Sequence, residues 1–184
     1  MQLLFIKVER FFERIKKMNV VRFFLLTWLI HISWTIVVGL ILFLSGIEFS
    51  QHVASDSEFT NSFLMVPITA LAEEALFRWG PMVALVFSLT YCYRSKRLTK
   101  DQFFEVEKYC LLAVVFFSSI IFGWAHGNIF NVLIQGVSGV IFYVIYLRCY
   151  FIERDRGVRD RMQIVPFAES TIYHAVANSF LLFM

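Results

Sequence analysis

Cysteine is scarce and odd in number, with Cys92, Cys110 and Cys149 and no C-x-x-C pair. That argues against a disulfide framework or a zinc knuckle. There is no Gly-rich phosphate loop, no c-type haem box and no H-E-x-x-H, so no cofactor and no metal is expected from the common motifs. No internal repeat or low-complexity tract interrupts the chain. The first 19 residues, MQLLFIKVERFFERIKKMN, lack the small-residue cleavage site of a signal peptide. Basic residues are missing altogether from SGIEFSQHVASDSEFTNS, which contains His52, and from GNIFN.

What is present is apolar bulk. Hydrophobic residues make up 59% of the 184, Phe occurs 22 times and the mean hydropathy is +0.68. Ordinary soluble domains are about 45–50% apolar. The composition predicts an all-α, polytopic helical bundle in a membrane, as one domain over 1–184. A span needs about 20 mostly apolar residues. Five segments qualify, near 21–45, 63–93, 109–126, 131–150 and 166–184. Residues 1–19 read as an amphipathic helix on the membrane surface, or equally as a basic flank ahead of the first span. Gly80-Pro81 predicts a kink or break in the long second segment, because proline removes a backbone donor and crowds the preceding turn.

The net charge of +3 and pI of 8.8 do not call for nucleic acid. The basic residues cluster at Lys7–Arg22, at Arg94–Lys108 and at Arg148–Arg161, and five spans put all three clusters on one side. The positive-inside rule makes that side cytoplasmic. The N-terminus is then inside, and the three cysteines sit near cytoplasmic span ends where thiols stay reduced. The expected location is a multi-pass protein of the cytoplasmic membrane of a bacterium, with the bilayer itself as partner.

Only Arg78 stands apart, within LAEEALFRWGP. A charge inside the bilayer costs at least a few kcal/mol and normally faces a protein interior where it marks function. Glu74 and Arg78 are i, i+4 on a helix and can pair. Glu73, about 100° around the helix, is the freer carboxylate. Two adjacent carboxylates at low dielectric repel, so at least one is expected to titrate high, as suits a base that activates water. FGWAH ends the third span with Phe122 and His126, and HAVAN places His174 and Asn178 on one face of the fifth. At about 1.5 Å rise per residue, these groups can converge in the half of the bilayer away from the basic clusters. His31 and Asn131 read as helix–helix hydrogen-bonding residues.

In this order, EEALFR, FGWAH and HAVAN match E-E-x-x-x-R, F-x-x-x-H and H-x-x-x-N. Over about 60–184 the chain resembles the CAAX protease and bacteriocin-processing (CPBP, or Abi) family of glutamic intramembrane endopeptidases. The resemblance implies that Glu73 is the base for the attacking water and that His126 positions and polarises that water. It implies that His174 and Asn178 stabilise the oxyanion, and that Glu74 and Arg78 shape the site. The substrate would be a membrane-embedded protein or peptide, such as an exported protein losing a sorting or anchor tail. The family commonly has Gly directly after the Arg, whereas here Trp79 precedes Gly80, which puts the local helix break in question.

Three other readings compete. His126, His174 and Glu73 form an incomplete zinc set. GVSG with His174 imitates a rhomboid serine dyad, but Ser138 shares its span with Asn131, and Gly136, Ser138 and Gly139 suit close helix packing better. A non-catalytic immunity or scaffold protein of the same fold is the stronger rival.

Overall fold

A computed structural model describes residues 2–46, 65–127, 129–157 and 162–181. His52 and most of its polar loop lie outside these, as do Arg159, Arg161 and the last three residues. Among the described residues the fold is helical without strands. The elements are α1 (Gln2–Lys17), α2 (Val20–Leu44), α3 (Met65–Glu74), a π-helical turn (Ala75–Trp79), α4 (Gly80–Arg94), α5 (Lys100–Ala125), α6 (Ile129–Asp155) and α7 (Ile164–Leu181).

Four helices are long and apolar enough to cross a membrane: α2, the continuous run Met65–Arg94, α5 and α6. The chain is thus a multi-pass membrane protein by its helices. The fifth expected span is the helix α7, but its described stretch is less apolar. Glu169, Ser170, His174 and Asn178 interrupt it, and Ser170 and His174 are turned fully inward.

Helix ends differ from the apolar runs for a physical reason. Hydrogen bonding does not stop where hydrophobicity does. Helix α5 begins nine residues before the expected span, at Lys100, because Thr99 and Gln102 form a reciprocal capping box. Helix α6 continues to Asp155 on a charged last turn. Asn19 caps α2 by accepting from the Val21 N–H at 2.9 Å.

The expected kink or break at Gly80-Pro81 takes the form of a local change of helix type, not an end of the helix. The chain stays helical and takes up the proline as a single π turn, in which the Gly80 N–H reaches the carbonyl of Ala75. Pro81 then sits in the first turn of α4, where a missing N–H costs least.

Helix α6 is the central element, with Phe142, Tyr143, Ile145 and Tyr146 almost wholly buried. It lies tightly on α5 through glycines. A Cβ at Gly123 would stand 2.6 Å from the Val132 Cα, and one at Gly139 would meet Ser119 and Phe122 at 3.2–3.3 Å. Small residues let the backbones approach this closely. His31 on α2 meets Ser138 at 2.6 Å, joining the two helices. Arg148 donates to the Ile15 and Met18 carbonyls, both at 3.0 Å. It so ties the chain just at and after the end of α1 to α6, and packs over the Phe23 ring. Phe12 and Ile15 of α1 join the core, while Glu9, Arg10 and Glu13 remain exposed.

Candidate active site

Three helical elements bring the site together at the bundle end away from the basic clusters. Glu73 and Glu74 close α3, His126 caps the C-terminus of α5, and His174 lies midway along α7. The two oxygens of Glu73 face one imidazole each. Oε1 is 3.6 Å from Nε2 of His126, and Oε2 is 3.3 Å from Nε2 of His174.

The far side of each ring is fixed. His126 Nδ1 lies 2.7 Å from the Phe122 carbonyl. A carbonyl only accepts, so Nδ1 carries the hydrogen there. His174 Nδ1 lies 2.9 Å from Glu74 Oε1 and donates to that carboxylate for the same reason. Both Nε2 atoms therefore point at Glu73. Such second contacts set tautomer and orientation together. A water donating one hydrogen to Glu73 and the other to one ring nitrogen fits between them.

Glu73 and His126 are partly open, with side chains 20% and 29% exposed. Glu74, Arg78 and His174 are sealed. Glu74 Oε1 contacts Arg78 Nη1 at 3.0 Å, and Oε2 accepts from Ser170 Oγ at 2.5 Å. The Arg78 contact is an ion pair without hydrogen-bond alignment, since Nε, Nη1 and Nη2 all lack a hydrogen-bond partner. The guanidinium instead lies 4.1 Å from the Phe122 ring centroid and 4.9 Å from that of Phe142. The quadrupoles of those rings attract a desolvated cation. Phe142 also stacks on the His174 imidazole, 4.1 Å between centroids.

The π turn is what aims these groups, because it carries Arg78 and directly follows the two glutamates. Pro81 cannot offer the N–H that an α-helix would send to the Phe77 carbonyl. The Tyr143 hydroxyl donates there instead, at 2.6 Å. Trp79, the residue that separates Arg78 from Gly80, donates its indole N–H to the Met162 carbonyl and packs on Phe167. It ties the π turn to the start of α7, where the fully buried Gln163 takes φ = 52° and accepts from Tyr146.

Of the six sequence candidates, Glu73, Glu74, Arg78, His126 and His174 are brought into one cluster. Asn178 stands one turn beyond His174, half-buried and without a hydrogen bond among the described residues. Ser170 and Tyr143 were not among the candidates. Ser170 precedes His174 by four residues, so extending the polar face of α7 back one turn points to it. Tyr143 carries no such local signal. Ser138 pairs with His31, not with His174, and donates to the Ile134 carbonyl. Asn131 donates to the His126 carbonyl. Glu73, His126 and His174 line neither of the two cavities at the other end of the bundle.

Compared with known protein families, curated proteins and solved structures, the chain matches none.

Proposed function

We propose that this chain is an intramembrane endopeptidase of the glutamic type, related to the CAAX protease and bacteriocin-processing family. The observation that carries the reading is a partly open carboxylate, Glu73, set between two imidazole nitrogens at 3.3 and 3.6 Å. Glue between helices needs neither that opening nor two imidazoles turned to one acid. The motif order supports the family assignment, and the geometry supplies the parts that peptide hydrolysis requires.

Glu73 takes a proton from a water held against His126, and the oxygen attacks the scissile carbonyl carbon. A positioned base of this kind contributes roughly 10²–10⁴ in rate. His174, when protonated at Nε2, donates to the developing oxyanion, and Asn178 stands one turn along the same helix as a second donor. The proton held by Glu73 then passes to the leaving amine as the C–N bond breaks. Glu74, Arg78 and Ser170 touch no substrate in this scheme. They hold His174 and the π turn.

In this reading the membrane is the cytoplasmic membrane of a bacterium, and the clustering of basic residues supports an N-terminus inside, α1 along the inner surface and the site in the outer half. That location suits removal of a sorting or anchor tail from an exported protein. Mass spectrometry of membrane proteins from cells carrying the wild type or Glu73→Gln tests the activity. One truncated protein is expected to disappear with the variant at normal protein level. A second reading, a non-catalytic immunity or scaffold protein, draws on the sealed network of Glu74, Arg78 and His174, which ties α3, the π turn and α7 together whether or not Glu73 turns over. It requires Glu73→Gln to retain full function.

A further inference from the structure

At the basic end of the bundle, far from Glu73, two cavities lie on either side of a shared wall. One is a mostly apolar groove of about 570 Å³ between α1, α5 and α6, walled by residues such as Phe12, Leu112, Val140 and Phe151, with the ion pairs Glu9–Lys108 and Glu13–Lys16 also in its lining. The other, about 440 Å³, lies among α4, α5, α6 and α7 and is lined by Arg94, Lys100, Tyr93 and Phe103. Phe104, Glu107 and Arg154 line both. The shared wall is itself a built ion pair: Glu107, 5% exposed, accepts from Arg154 at 3.1 Å and from the Tyr150 hydroxyl at 3.0 Å. Arg154 is therefore neutralised. Glu153, also in the polar cavity, faces Arg156 at 3.7 Å. Arg94 and Lys100 have no anionic partner among the described residues.

We infer that the two adjoining cavities together hold one anionic phospholipid that passes over their shared wall, its acyl chain in the groove and its phosphate headgroup against the exposed Arg94 and Lys100. Each cavity has the size of an ordinary small-ligand site, and their chemistry differs in the way the two ends of a lipid differ. The cation pair has charge to spare where the acids already have partners. Basic pockets between membrane helices at such a face recognise anionic headgroups. The groove has a second consequence. Tyr143 lines it while its hydroxyl holds the π turn through Phe77, so a seated chain buttresses the residue that aims the glutamates. The binding site stands independently of the proteolytic reading.

The test is native mass spectrometry of the full chain released from zwitterionic phosphatidylcholine nanodiscs doped with phosphatidylglycerol. One phosphatidylglycerol is expected to be retained in preference to phosphatidylcholine. Arg94→Gln and Lys100→Gln are each expected to weaken retention about fivefold, and the pair about 25-fold, from roughly 1 kcal/mol per basic residue at an anionic surface. Arg97→Gln removes an exposed charge from the same loop that does not line the cavity, and should leave retention unchanged. Leu112→Phe and Val140→Phe, on opposite walls of the groove, should each cut it. Equal retention of the two lipids overturns the proposal. So does an Arg97→Gln effect as large as the others, which marks general attraction to a basic loop. Soluble glycerol phosphate competing as tightly as the lipid also overturns it, because the groove then contributes nothing.

Discussion

The Tyr143 hydroxyl donates to the Phe77 carbonyl at 2.6 Å, at the position where Pro81 has no N–H to give. A side chain from α6 thus replaces a missing backbone donor in the segment that bears Glu73, Glu74 and Arg78. A buried carbonyl left without a donor costs about 1–3 kcal/mol.

Tyr143→Phe is therefore expected to destabilise the protein by about that amount. In the Pro81→Ala background a backbone N–H can serve Phe77, and the same substitution should cost much less. Unfolding in a mild denaturing detergent, run as a double-mutant cycle, measures the coupling. Equal losses in the two backgrounds would disprove the substitution of donor for donor.

The buried pair of Glu74 and Arg78 gives an asymmetric expectation. Arg78→Met leaves the Glu74 carboxylate sealed without its cation, and removal of one partner of such a pair costs about 3–5 kcal/mol. Glu74→Leu strands Arg78 at similar cost. Replacing both should be milder than the sum of the two, since no uncompensated charge remains. Strict additivity in the unfolding midpoints would show that the contact carries no coupling.

Close packing of α5 on α6 predicts opposite outcomes for two glycines. Gly123→Ala puts a Cβ 2.6 Å from backbone, and overpacking of this kind costs about 1–3 kcal/mol or more. Gly39, mid-helix in α2, has nothing within 4 Å of its would-be Cβ. Gly39→Ala should stabilise by about 0.5–1 kcal/mol through helix propensity. Thermal unfolding of the two variants checks both signs in one experiment.

Within the proposed hydrolysis, the two histidines should fail differently. His126 is part-exposed, held by the Phe122 carbonyl of its own helix and facing Glu73 at 3.6 Å, so His126→Ala should lower turnover by roughly 10²-fold or more with little change in stability. His174 is buried between Phe142 and Glu74, so His174→Ala should lower both. Ser170→Ala, which frees one oxygen of Glu74, tests positioning: it should slow cleavage and shift its pH profile without removing any group that meets substrate. An unchanged profile would reduce Ser170 to a packing residue.

The apolar runs by themselves determined the helices, because a bilayer leaves backbone polar groups no partner outside helical hydrogen bonds. They also determined which residues were anomalous, since Glu73, Glu74, Arg78, His126 and His174 break runs that lipid would favour unbroken. Spacing alone allowed the Glu74–Arg78 pair and set His174 and Asn178 on one face. The tertiary structure decided the rest. It converted the expected break at Gly80-Pro81 into a π turn, because Tyr143, 62 positions after Pro81, supplied the donor that local sequence lacked. It chose Ser170 as a partner for Glu74, gave Ser138 to His31, and set Asn178 one turn beyond His174 without a hydrogen bond among the described residues. It set the sheltered ring faces of Phe122 and Phe142 around Arg78. Each of these depends on which helix faces lie together, and periodicity along a chain records a face without recording its neighbour.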